Sequence, residues 1–127
     1  MTKALRIVIV EDDGLIAMDL AELLAGMGHE VCAIASTEVA AEAAAVEWRP
    51  DLMIVDGSLR GGSGVAAMAR ILQTVDVAHL YVSGNPWAIS EAVPDAVVVA
   101  KPFTLRELER GMNSACEAAQ QRSNPAE

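Results

Sequence analysis

Five short apolar runs divide the chain, and between them apolar positions recur at helical spacing. The first run, "LRIVIV" at 5–10, is β-branched and continuous, as in a strand covered on both faces. Ile16, Leu20, Leu24 and Met27 then fall at intervals of three and four, one stripe of a helix, with Gly26 and Gly28 as stop signals. "HEVCAIA" (29–35) predicts a second strand. Ser36 or Thr37 can cap an alanine-rich helix that runs to Trp48 and stops before Pro50. "DLMIVD" (51–56) is a third strand, and Val65, Met68, Ala69 and Leu72 mark the face of a third helix. "AHLYVS" (78–83) and "AVVVA" (96–100) are strands four and five. Only 86–93 is left for a fourth helix, one or two turns ended by Pro94. Thr104 caps the last helix with Glu107 at the capping-box position, and Leu105, Leu108, Met112 and Ala115 form its inner face. "QQRSNPAE" predicts a frayed end, which gives one domain over 1–120 and a flexible tail over 121–127.

This order is (βα)₅, and strict alternation of strand and helix implies a parallel sheet with helices on both faces. A chain of 127 residues suits one core, and a 53% hydrophobic content can fill it. Nine basic against 18 acidic residues leave a net charge of −9, which disfavours a nucleic-acid partner, because phosphate binding needs clustered Lys and Arg. A cation or a basic protein surface fits that charge better. Cys32 and Cys116 form no C-x-x-C or Cys/His cluster and suit small buried residues in a reducing compartment. The first apolar run ends at Glu11, too short for a signal peptide or a membrane span, so the expectation is a cytoplasmic protein without a membrane.

Ligands of open parallel sheets gather at the carboxyl ends of the strands. Glu11, Asp12 and Asp13 follow strand one there, Asp56 closes strand three, Ser83 closes strand four and Lys101 follows strand five. Carboxylates ~4 Å apart repel by about 4 kcal/mol at an effective dielectric near 20, so one of them takes a proton or a cation sits between them. Oxygen donors without His or Cys suit Mg²⁺, with Mn²⁺ as the alternative. One carboxylate is left free as a nucleophile, and an Asp can form an aspartyl phosphate. Its phosphoryl oxygens need neutralising, a task that fits Lys101 and the Ser83 hydroxyl. Taken singly, each feature has an ordinary reading: a charged helix start, a turn Asp, a turn Ser, a solvated Lys. Their joint placement on one rim favours the chemical one.

Four segments in this order, "IVIVEDD", "LMIVDGSLRGGSG", "LYVSG" and "VVVAKPF", resemble the receiver domain of two-component response regulators over nearly the whole chain. The resemblance implies a flavodoxin-like sheet of order 2-1-3-4-5. It implies a phosphoacceptor at Asp56, fed by a histidine kinase or a histidine phosphotransfer protein, without enzymatic turnover of a separate substrate. Asp12 would hold Mg²⁺ directly, Glu11 through water, with Asp56 and the Ser58 backbone carbonyl as further ligands. Ser83 and Lys101 would contact the phosphoryl group, and the Lys101–Pro102 bond would be cis. Three positions and one element depart from the commonest receiver pattern: Arg60 for Pro, Gly84 for Ala, Val98 for an aromatic, and the breaker-rich fourth helix. Tyr81 is then a candidate for the missing aromatic switch, and Ser58 and Asn85 flank the path of an attacking water. Trp87 is expected half-buried beside the rim, where its fluorescence would report Mg²⁺ or phosphate. With Gly84 after Ser83 the chain resembles the stand-alone type of receiver, whose output would pass to a downstream protein through helix four, strand five and helix five, from a monomer or a weak phosphorylation-dependent dimer. The alternatives are a receiver cut from a longer regulator, a relay component that passes phosphate on, and, in a different class, a small Mg²⁺ phosphohydrolase.

Overall fold

The computed structural model describes residues 3–123. Five strands form one parallel sheet: β1 Arg6–Val10, β2 Glu30–Ala35, β3 Leu52–Asp56, β4 Ala78–Ser83 and β5 Val98–Ala100. Their spatial order is β2-β1-β3-β4-β5, the flavodoxin-like order. The helices are α1 Gly14–Gly26, α2 Glu38–Trp48, α3 Gly64–Ile71, α4 Pro86–Ala92 and α5 Leu105–Ser123. A two-strand antiparallel ribbon, Ser58–Leu59 with Gly62–Ser63, stands apart from the sheet between β3 and α3.

Alternation along each strand divides the core into two layers. Ile7 and Ile9 of β1, with Leu52 and Ile54 of β3, pack under α1 and α5 against Leu24, Leu108 and Met112. Val8, Val10, Met53 and Val55 face the other way, onto Ala41 and Ala45 of α2, Met68 and Ile71 of α3 and Ile89 of α4. All eight of these β1 and β3 side chains are at most 1% exposed, which is why both strands are apolar without a break. Small alanines on α2 let that helix lie close to the sheet.

Local signals set the helix ends. Thr37 Oγ1 accepts from Ala40 N–H at 3.0 Å to start α2. Arg49 closes α2 in a left-handed conformation (φ 44°), since Pro50 bars its predecessor from continuing the helix. Thr104 and Glu107 form a reciprocal capping box, with bonds of 2.8 and 3.1 Å.

Three details differ from the pattern-based expectation. The inner face of α3 is Ala67, Met68 and Ile71, while Ala69 and Leu72 are exposed, because the helix ends at Ile71 and Leu72 belongs to its cap. Leu105 and Ile16 lie at the first turns of their helices and are 47% and 44% exposed. Helix α5 runs through Ser123 instead of fraying near 120. Arg122 holds it to the body, with Nε 3.3 Å from Asp76 Oδ1 and Nη2 3.4 Å from the Val77 carbonyl. The remainder of the expected tail, 124–127, lies outside the described residues.

Candidate phosphoacceptor site

Register alone brings the polar groups together. Val10 pairs with Val55, so the next residues, Glu11 and Asp56, emerge side by side at the carboxyl ends of β1 and β3. Asp56 pairs with Val82, one residue before Ser83, and Ser83 pairs with Ala100, one before Lys101. Ligand oxygens of Glu11, Asp12 and Asp56 all lie within 4.8 Å of one another. Lys101 Nζ sits 3.1 Å from Asp56 Oδ2 and 3.7 Å from Glu11 Oε1. The Lys101–Pro102 bond is cis.

The three acids after β1 divide their tasks. Asp13 caps α1, its Oδ1 accepting from the Leu15 and Ile16 amides at 3.0 and 3.3 Å. Asp12 is partly exposed and belongs to the cluster. Glu11 is only 6% exposed, and its Oε2 accepts from Asp13 N–H at 3.1 Å. Burial first, and the neighbouring Asp56 second, push the Glu11 carboxyl up to about 7. One lysine therefore does not neutralise two inward carboxylates. The donor set is hard oxygen throughout, and the crowding is of the kind that a divalent cation relieves, so the residues fit Mg²⁺. Glu11, Asp12 and Asp56 would hold it.

The rim around Asp56 is shaped closely. Ser58 N–H donates to Asp56 Oδ1 at 2.9 Å. Ser83 is 8% exposed, and its Oγ accepts from Asn85 N–H at 2.9 Å, which leaves the hydroxyl hydrogen free to donate. Asn85 in turn caps α4 through Oδ1 and the Ala88 amide. Gly57 permits a close approach of α4, because a Cβ there would strike Ile89 Cδ1 and would stand 3.5 Å from Ser83 Oγ. Gly84 is exposed with open space around it. Beside the rim, a cleft of about 200 Å³ opens between α1 and Phe103, walled by Ile16, Leu20 and Val82.

The switch candidates are placed as follows. Tyr81 is 2% exposed and packs edge-on to His79, with ring centroids 5.8 Å apart and planes at 87°. Burial pushes its phenol up to about 12, so it stays neutral inside the core. Val98 pairs with Tyr81 across β4 and β5 and packs against the same layer. Trp87 is 73% exposed and not half-buried, since only Ile89 of the short α4 turns inward. Sequence reasoning missed Ile89 over Gly57. It also missed Glu38, whose Oε2 accepts from Ser63 N–H at 2.9 Å and so ties α2 to the loop after Asp56.

The comparisons agree with this geometry. The family model described as "Response regulator receiver domain" matches residues 7–113. The chain belongs to that family. Among curated relatives, it is 38% identical over 104 residues to the phyllosphere-induced regulator PhyR of Methylorubrum extorquens, a match covering 79% of this chain and 39% of PhyR. It is 31% identical over 107 residues to the transcriptional regulatory protein PdtaR of Mycobacterium tuberculosis, covering 81% of this chain and 52% of PdtaR. The chain thus spans about half the length of these relatives or less. Among solved structures, the receiver domain of Erythrobacter litoralis PhyR superposes with a TM-score of 0.79 at 29% identity, covering 88% of this chain and 89% of that one. An anti-anti-sigma factor PhyR from Bartonella quintana gives 0.82 at 26% identity, covering 99% of this chain and 52% of that one. Among the described residues, no helix is long and apolar enough to cross a membrane.

Proposed function

We propose that this receiver is a phosphoacceptor switch in which Asp56 takes a phosphoryl group from the phosphohistidine of a sensor kinase or phosphotransfer protein. The observation that carries the reading is Lys101 Nζ poised 3.1 Å from Asp56, inside an otherwise uncompensated cluster of Glu11, Asp12 and Asp56. In the transfer, an Asp56 oxygen forms a bond to phosphorus as the P–N bond breaks. The imidazole leaves with the electron pair and takes a proton from solvent. Mg²⁺, when bound, neutralises phosphoryl oxygens. Lys101 follows the arriving charge from the carboxylate to the phosphoryl oxygens, and Ser83 Oγ donates to another of them. The protein turns over no other substrate. Its location in this reading is the cytoplasm, where kinase and donor reside.

Output passes through a protein partner, with α4, β5 and the start of α5 as the face that reports the state of Asp56. Two features support that route: Ile89 of α4 rests directly over Gly57, and relatives of this fold are described as anti-anti-sigma factors. Because those relatives are longer, this domain in its natural setting fits either a switch acting alone or the input half of a larger regulator.

Intact mass after incubation with Mg²⁺ and acetyl phosphate tests the reading. One acid-stable, base-labile phosphoryl adduct is expected, and it should be absent in Asp56→Ala. No adduct with acetyl phosphate or any kinase defeats the proposal, and rapid turnover of phosphomonoesters would favour a hydrolase.

A further inference from the structure

We infer that Glu38 is a positioning residue for the acceptor loop: from the start of α2 its carboxylate clamps the ribbon that carries Ser58, and so fixes the Ser58 backbone beside Asp56. The inference rests on the phosphoacceptor reading above and adds a residue from outside the rim. Three links connect Glu38 to the acceptor. Its Oε2 accepts from Ser63 N–H at 2.9 Å, across 25 positions of sequence. Ser63 pairs with Ser58 in the antiparallel ribbon. Ser58 N–H donates to Asp56 Oδ1 at 2.9 Å.

The loop is built around this clamp. Its tip holds Gly61 (φ 75°) and Gly62, so it has little stiffness of its own. Gly62 is the residue against which the Glu38 carboxylate lies; a Cβ there would collide with it. Glu38 itself is held, because Thr37 caps the helix that carries it. Ser63 caps α3 through Oγ and the Ala66 amide, and its own amide is satisfied by the Glu38 carboxylate. A charge-assisted bond to a backbone amide is among the stronger and shorter kinds, which suits a clamp. Glu38 is not one of the clustered acids; it acts through Ser58, whose amide holds the Asp56 carboxylate that belongs to that cluster.

The test is titration calorimetry of the whole chain with MgCl₂, together with amide hydrogen exchange at Ser63. Glu38→Ala should weaken Mg²⁺ binding by about tenfold, as loss of an outer support of a metal site commonly does. Gly62→Ala should do the same with the Glu38 carboxylate intact but displaced. It moves only the end of a flexible side chain, so it keeps the test alive if Glu38→Ala folds poorly. Glu38→Gln keeps an acceptor oxygen and should retain both the affinity and the Ser63 protection that the other two lose. A merely structural role would not produce that pattern. Unchanged Mg²⁺ affinity in Glu38→Ala and Gly62→Ala, or unaltered Ser63 exchange, overturns the inference. If the wild type binds Mg²⁺ and forms the Asp56 adduct while the variants bind equally well, the clamp falls and the phosphoacceptor reading stands. If the wild type binds no Mg²⁺, both fall.

Discussion

The two ends of the sheet carry similar residues and use them differently. At the amino end, the charged groups of Arg6 and Asp51 close on backbone. Asp51 Oδ2 accepts from Arg6 N–H at 2.8 Å, Asp51 N–H donates back to the Arg6 carbonyl at 2.8 Å, and the Arg6 guanidinium reaches the Trp48 and Arg49 carbonyls at 2.7 and 3.2 Å. His29 Nδ1 accepts from Leu5 N–H there at 3.0 Å. These bonds join β1, the end of α2 and the start of β3. At the carboxyl end, charge faces charge: three carboxylates crowd within 4.8 Å, and two of them, Glu11 and Asp56, share Lys101. The larger hollow, about 980 Å³, lies at the amino end and lacks the acid cluster. Size is therefore a poor guide to chemistry here. Polar groups satisfied by backbone hold a fold together, whereas crowded like charges are retained for a ligand or a reaction.

The sharpest way to break the comparison is to remove Lys101 from the crowded end. Lys101→Met should slow acetyl phosphate-dependent adduct formation by about 10²-fold, the usual cost of losing one donor to a developing anion. Mass spectrometry against time reads the rate. A rate equal to wild type would mean that Lys101 is only a counter-charge, no different in kind from Arg6 at the other end.

How far this contrast was legible in the sequence depends on what each residue needs to be recognised. The strands were visible because continuous Val and Ile runs have one physical use, burial on both faces, and their order put Glu11, Asp56, Ser83 and Lys101 on one rim. Asp13 looked equivalent to Glu11 and Asp12 as a letter. Only backbone geometry shows it spent on the α1 cap. Glu38 was invisible for the opposite reason: its partner is a backbone amide 25 positions away, and an amide leaves no mark in a sequence. The reach of α5 past 120 was missed because Arg122 makes its contacts with Asp76 and the Val77 carbonyl, which are remote in the chain. Trp87 was misjudged because amphipathic patterning has too few residues to act on in a seven-residue helix.

The next prediction asks whether the carboxyl end is strained without metal. The Glu11 carboxyl sits at about 7 in the folded protein, against an ordinary value of 4.5. Below the ordinary value it is protonated in both states. Between the two values the folded state keeps a proton that the unfolded state has lost, so this group's stabilisation declines as pH rises through that window. The metal-free melting temperature should therefore fall from about pH 5 to about pH 8, and Glu11→Gln should flatten that fall. Mg²⁺ requires the ionised carboxylate, so its benefit should grow over the same range. At ~100 times its dissociation constant it should add about 2.7 kcal/mol. Differential scanning fluorimetry with and without MgCl₂ across pH measures all three. A profile that is flat in pH and indifferent to Mg²⁺ would erase the difference between the two ends.

The smallest effect belongs to the amino end, and it is the control that gives the others meaning. Asp51 is exposed and lies on the same strand run as Asp56, five residues earlier, yet its carboxylate accepts from the backbone amide of Arg6. Asp51→Ala should cost about 1 kcal/mol, the net worth of one such bond, seen as a lower urea midpoint with an unchanged slope. The Arg6 amide is near solvent, so water can replace the lost partner, and the loss should stay at that level. Adduct formation at Asp56 and Mg²⁺ affinity should match wild type, because β3 remains paired with β1 from Leu52 to Val55 and with β4 from Leu52 to Asp56. A slower adduct in Asp51→Ala would show that strand β3 transmits strain from one end to the other. The two ends would then be one coupled system instead of a support and a working site.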